Sequence, residues 1–179
     1  MPLLGLGVYK LPDDVQAEAA ITSAISAGYR MIDTASVYKN EESVGRAIAR
    51  CGVPRKDLFI TSKIWNTAQR LGDVQGAFSR SLDRLKLSYV DLYLIHWPVP
   101  GCYLSTWKEL EKILESGRAL SIGVSNFDIR HLEELRKISG IIPAVNQIEC
   151  HPLCYPSELI EYCKAFGIQV QAYAPLARG

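Results

Sequence analysis

Apolar and polar positions along the chain repeat in one order. A short β-branched or aliphatic run leads into a polar loop, and the loop into a stretch with apolar residues at helical spacing. The short runs cover residues 3–8, 31–33, 59–63, 90–96, 121–124, 145–149 and 169–173. The helical stretches cover 15–27, 41–50, 74–85, 106–116, 129–138 and 158–166. In the first of these, Val15, Ala19, Thr22 and Ile25/Ser26 fall on one stripe, Asp14 can cap the N-terminus, and Gly28 can end the helix. In the last, Ser157 is the candidate cap, Leu159, Cys163 and Phe166 form the stripe, and Gly167 closes it. Residues 40–49 read as a surface helix with one buried stripe.

Strands that alternate with helices imply right-handed crossovers and a parallel sheet. Near-continuous apolar runs such as DLYLIHW suit strands covered on both faces. An open doubly wound sheet and a (β/α)₈ barrel both fit. Gly5-Leu6-Gly7 is followed by no third glycine and no helix, so the dinucleotide fingerprint of the open sheet is missing and the barrel is favoured. A barrel of this kind needs eight units and typically about 250 residues, whereas the pattern supplies seven strands and six helices in 179 residues. Unpaired first and last strands would invite aggregation. The expectation is therefore a single α/β domain over residues 1–179, a (β/α)₈ TIM barrel truncated after strand 7 and belonging to a longer chain.

Composition narrows the function. A chain that is 48% hydrophobic and 22% charged is not disordered. A net charge of +1 with no basic stripe argues against nucleic acid and against a membrane surface. No apolar stretch approaches the roughly 20 residues of a membrane helix, and the start MPLLGLGVYK lacks the form of a signal peptide. Five cysteines without a disulfide framework suit a reducing, cytoplasmic setting.

In a parallel α/β sheet, chemistry collects at the carboxyl ends of the strands. Those ends carry Asp33, Lys63, His96, Ser125-Asn126, Gln147 and Tyr173, with Tyr38 in the loop after Asp33. Strands lie about 4.8 Å apart, so Asp33, Lys63 and His96 can converge on one spot. A lysine and an aspartate ending apolar strands must be buried as partners. An ammonium beside Tyr38 would stabilise the phenolate and lower the phenol's pKa. A neutral His96 could hydrogen-bond a carbonyl oxygen. Such a group suits protonation of oxygen during carbonyl reduction. No side chain supplies hydride, so a nicotinamide cofactor is implied. Ser125, Asn126 and Gln147 can bind its carboxamide, and Tyr173 can stack on its ring.

The segments GLGVYK (5–10), AGYRMIDTASVYKNEESVG (27–45), LFITSKIWN (58–66), VDLYLIHWP (90–98), IGVSNF (122–127), VNQIECHP (145–152) and QAYAPL (171–176) resemble the aldo-keto reductase superfamily in order and spacing. The resemblance implies a (β/α)₈ barrel that reduces aldehydes and ketones with NADPH, less often NADH. It implies a catalytic tetrad of Asp33, Tyr38, Lys63 and His96, with Tyr38 as general acid. Ser125, Asn126, Gln147 and Tyr173 match its nicotinamide contacts. Tyr9, Trp65 and Trp97, with His96, match positions that wall the substrate pocket, although many members have Trp where Tyr9 stands. The family's segment for the adenosine 2′-phosphate lies beyond this sequence, which leaves NADP-over-NAD preference open. Arg178 lies near the family's pyrophosphate site but reads more simply as a solvated charge. A small carbonyl compound is the expected partner, and a monomer the expected state of the full-length protein.

Rival readings are weaker. Cys150-His151-x-x-Cys154 looks like half a zinc site but lacks a second ligand pair, so no metal is expected. Ser125 has no nucleophile elbow around it. A Schiff-base role for Lys63 needs a neutral amine, which Asp33 opposes. The alternative of another class is a non-catalytic or truncated barrel acting as a binding or regulatory subunit.

Overall fold

The computed structural model describes residues 1–177, so Arg178 lies outside the described residues. Seven strands form one parallel sheet in sequential order: β1 (Gly5–Gly7), β2 (Met31–Asp33), β3 (Phe59–Ile64), β4 (Leu92–Ile95), β5 (Ile122–Ser125), β6 (Val145–Glu149) and β7 (Gln169–Tyr173). The helices between them are α1 (Val15–Ser26), α2 (Glu41–Arg50), α3 (Asn66–Leu71), α4 (Val74–Leu85), α5 (Tyr103–Glu115), α6 (Ile129–Ile138) and α7 (Ser157–Ala165). The sheet curls far enough for side chains of late strands to touch those of an early one. Gln147 Nε2 on β6 donates to Asp33 Oδ2 on β2 at 2.8 Å, and Gln171 on β7 reaches Met31 on β2. This is the wall of a (β/α)₈ barrel, nearly closed, with β1 and β7 as the two ends of the strand order.

Strand parity sorts the side chains. On β3, Ile60 and Ile64 face outward into the main core, where helices cover the wall with Phe78, Trp107, Leu110 and Ile113. Phe59, Leu92, Leu94 and Val145 form a second, inner cluster that fills the barrel. The middle strands are buried on both faces, β4 along its whole length, whereas β7 stays partly exposed. The continuous apolar runs of the central strands follow from that double cover.

Local signals behaved unevenly. Asp14 caps α1, accepting from the backbone N–H of Gln16 and Ala17, and Gly28 ends the helix at φ +101°. The expected stripe on α1 is corrected. The buried face is Ala17, Ile21 and Ile25, while Val15 is 76% exposed. Ser157 is the first helical residue of α7 and makes no cap, since Pro156 occupies that position. Helix α3 was not anticipated. Its six residues carry no apolar period, and Gln69 is its only buried side chain.

Helix α2 differs most from expectation. In place of a surface helix with one stripe, it buries Glu41, Ser43, Val44, Gly45, Ala47 and Ile48. Gly45 allows the approach to α4, because a Cβ there would lie 2.4 Å from the Leu85 carbonyl oxygen. The turn that carries Tyr38 leads directly into this helix.

Candidate active site

Period-two alternation places the polar residues at the barrel mouth. Asp33, His96, Ser125 and Tyr173 sit at or just past the carboxyl ends of β2, β4, β5 and β7, Lys63 lies one residue before the end of β3 and Gln147 in the middle of β6, and all have inward parity. Lys63 is fully buried. Its ammonium pairs with Asp33 Oδ1 and donates to the Thr34 carbonyl at 3.0 Å. Asp33 Oδ2 accepts from Gln147. The buried charge is thereby matched by a carboxylate that is itself hydrogen-bonded, which a charge in such surroundings requires.

Tyr38 ends a single 3₁₀ turn, Ser36–Tyr38, and Ser36 Oγ ties that turn to the Lys63 carbonyl at 3.0 Å. The Lys63 ammonium lies 5.2 Å from the centre of the Tyr38 ring. The His96 ring stands edge-on to Tyr38 at 5.6 Å and to Trp65 at 5.1 Å, and Tyr9 tilts against Tyr38 at 5.0 Å. Four of the residues expected to wall or work the pocket are thus in ring contact. Trp97 is the exception: it is 44% exposed and has no ring contact with them among the described residues. Its carbonyl accepts from the buried Gln69 of α3 at 3.1 Å, a tether not foreseen in the sequence.

Electrostatics agree with one expectation and correct another. The His96 imidazole is neutral, its pKa pushed down to about 3 by burial first and by the Lys63 charge second. The phenol of Tyr38 moves the other way from the sequence expectation. Burial raises its pKa well above the ordinary value, and the charge of Asp33 adds to the rise, followed by Tyr9 and Tyr173. Burial and the Asp33 charge together outweigh what the Lys63 ammonium offers the phenolate. Tyr38 is therefore fully protonated at neutral pH, a donor in waiting.

Neutral His96 has a consequence for stability. An unfolded chain protonates this residue below about pH 6.5, whereas the folded one resists protonation until near pH 3. The unfolded state then binds more protons, so this contribution is complete above that window and is lost as pH falls through it. Urea unfolding at pH 7 and at pH 4.5 should show wild type losing more stability than His96→Gln. Equal losses in the two proteins would remove His96 from the account.

Ser125 and Gln147 are register partners on β5 and β6. Asn126 follows in a left-handed conformation at φ 63°. Its amide donates to the His96 carbonyl and to Ser125 Oγ, each at 3.0 Å, and its Oδ1 accepts from the Tyr173 hydroxyl at 3.0 Å. Ser125 Oγ is left with its own proton to donate. Gln147 Oε1 accepts no hydrogen bond among the described residues, because Nε2 makes both contacts of that side chain, to Asp33 and Gln171. One free donor and one free acceptor on adjacent strands form the complement of a primary carboxamide. The residues present therefore fit a nicotinamide.

Residues 3–179 match the Aldo/keto reductase family. The chain is 51% identical over 179 residues to a glyoxal reductase of Bacillus subtilis, covering all of this chain and 65% of that protein. It thus spans about two thirds of the length of that curated relative. An aldo/keto reductase from Brucella melitensis superposes with a TM-score of 0.95 at 46% identity, covering 99% of this chain and 70% of the other. A Bombyx mori aldo-keto reductase crystallised in complex with NADP superposes with a TM-score of 0.90 at 40% identity, covering 97% and 62%. Barrel topology, the grouping at its mouth and these matches agree, and the chain belongs to the Aldo/keto reductase family.

Proposed function

We propose that the protein reduces aldehydes and ketones to alcohols with hydride from a nicotinamide cofactor, NADPH in first place and NADH in second. One observation carries the reading: a protonated Tyr38 and a neutral His96 face the same mouth above the ion pair of a fully buried Lys63 with Asp33. The NADP bound in the Bombyx mori relative supports the choice of cofactor.

The roles follow from the chemistry of each group. A reduced nicotinamide, when bound, supplies the hydride that no side chain can. Ser125 and Gln147 hold its carboxamide, and Asn126 keeps Ser125, Tyr173 and the His96 backbone in place around it. Neutral His96 orients the substrate oxygen by hydrogen bonding without protonating it. Tyr38 gives its phenolic proton to that oxygen as negative charge develops there. The phenolate left behind lies over the Lys63 ammonium, which stabilises it in the product state and in the transition state that leads there. Asp33 holds the ammonium in position. Tyr9, Trp65 and Trp97 present aromatic surface to a small carbonyl compound with apolar parts. The activity named for the Bacillus subtilis relative makes glyoxal the first substrate to try. Five free cysteines fit the cytoplasm as the compartment.

The test is loss of NADPH absorbance when glyoxal or an aromatic aldehyde is added to the full-length protein. Steady cofactor consumption is the expected result. Tight cofactor binding without consumption would favour the rival reading of a binding or regulatory subunit.

A further inference from the structure

We propose that Asn40 is a positioning residue for the reduction: its buried side-chain amide clamps the Tyr38 turn to the segment bearing Tyr9 and to the residue that holds the Lys63 ammonium. The inference rests on the reductase reading above and extends it to a residue that touches neither substrate nor cofactor.

Asn40 occupies the N-cap position of α2 yet makes no capping bond with its side chain. An asparagine at that position ordinarily serves its own helix. Here the amide is 1% exposed and is spent elsewhere. Nδ2 donates to the carbonyls of Val8 at 2.8 Å and Leu11 at 3.0 Å, and Oδ1 accepts from Thr34 Oγ1 at 2.8 Å. Two donors and one acceptor are required at once, which asparagine meets and aspartate cannot.

Each partner leads to a group at the barrel mouth. Val8 and Leu11 bound the turn that displays Tyr9, closed by the Leu11 N–H on the Val8 carbonyl at 3.1 Å. Thr34 gives its hydroxyl to Asn40 and its carbonyl to the Lys63 ammonium. Tyr38 lies two residues before Asn40, across Lys39 in the left-handed conformation. One amide thus couples Tyr9, Tyr38 and Lys63. The helix behind it has its own anchor: the buried Glu41 carboxylate accepts from Ser62 Oγ at 2.6 Å and from Arg84 Nε at 2.7 Å. That anchor holds α2 against β3 and α4 when the Asn40 amide is removed, so the loss falls on the Tyr38 turn.

The experiment measures hydride transfer in a single turnover of the full-length protein, followed by cofactor absorbance, beside the NADPH dissociation constant. Asn40→Ala and Asn40→Asp should leave cofactor affinity unchanged and slow transfer about tenfold to a hundredfold, the scale of a misplacement of about 1 Å. Asn40→Asp, similar in size but facing two carbonyls with oxygens, should lose at least as much as Asn40→Ala. Thr34→Val removes only the bond to Oδ1 and should give a smaller loss in the same direction. A purely structural role would lower the melting temperature and leave the rate per bound cofactor at the wild-type value, and that result overturns the proposal. Should the Asn40 variants not fold, Thr34→Val decides alone, a wild-type rate counting against the clamp. The reductase reading fails separately, if wild type transfers no hydride or Tyr38→Phe transfers it at full rate.

Discussion

Tyr38→Phe is expected to lower turnover by a factor of about a hundred to ten thousand, the range lost with a general acid, with folding and cofactor affinity near wild type. The phenol is the only protonated acid among the four grouped residues that faces the pocket. His96 is neutral, with its pKa pushed down to about 3, and the Lys63 ammonium is engaged by Asp33 and the Thr34 carbonyl. No hydrogen bond ties the Tyr38 hydroxyl to another described residue, so its removal leaves no partner stranded. The Phe ring keeps the contacts to Tyr9 and His96. Steady-state reduction and NADPH fluorescence quenching, measured on the same preparation, check both halves. Retained turnover would mean that another group delivers the proton.

Lys63→Met should cost activity and stability together. Methionine fills much of the volume of the lysine stem but leaves the Asp33 carboxylate without its cation. Breaking a buried ion pair by removing one member typically costs 3–5 kcal/mol. About 3 kcal/mol is expected here, the low end of that range, because Asp33 keeps 13% exposure and the bond from Gln147. The missing ammonium also removes the charge beneath Tyr38, so the phenolate formed on proton transfer loses its stabilising partner. Asp33→Asn combined with Lys63→Met removes both charges and should recover most of the lost stability without restoring turnover. Urea unfolding and an activity assay separate the two effects. Full stability in Lys63→Met alone would contradict the buried pair described above.

The upward shift of the Tyr38 phenol bears on how the site works. A nearby ammonium suggests a ready-made acidic phenol, but burial, and after it the charge of the carboxylate that pins the ammonium, outweigh its effect. In the proposed reduction the site would keep its proton until negative charge appears on the substrate oxygen. Stabilisation is needed at that moment only, and interactions gained only in the transition state are those that speed a reaction.

Much of the fold was legible in the sequence because period-two and period-3.6 patterns report burial directly. The bounds of α2, α4 and α6 follow from apolar spacing, and β2, β6 and β7 from short runs at the correct parity. Positions at strand ends and the spacing between strands foretold Asp33, Lys63 and His96 at one spot. The misses share a cause. Helix α3 has no apolar period to announce it. Val15 and Ala19 on α1 have the spacing of a buried stripe, yet the helix turns Ala17, Ile21 and Ile25 inward, and that rotation is set by what the sheet offers rather than by the helix alone.

The order of strands, the inward set of polar residues and the charge inventory at the barrel mouth were written in the chain, because local spacing dictates which way each side chain points. The partners were settled only by tertiary packing. Asn40, Glu41 and Gln69 find their partners only when segments separate in sequence bring carbonyls, hydroxyls and a guanidinium to within about 3 Å. The sign of the Tyr38 shift was settled the same way. Which charge dominates at a phenol depends on distances and burial, and those exist only once the barrel has curled.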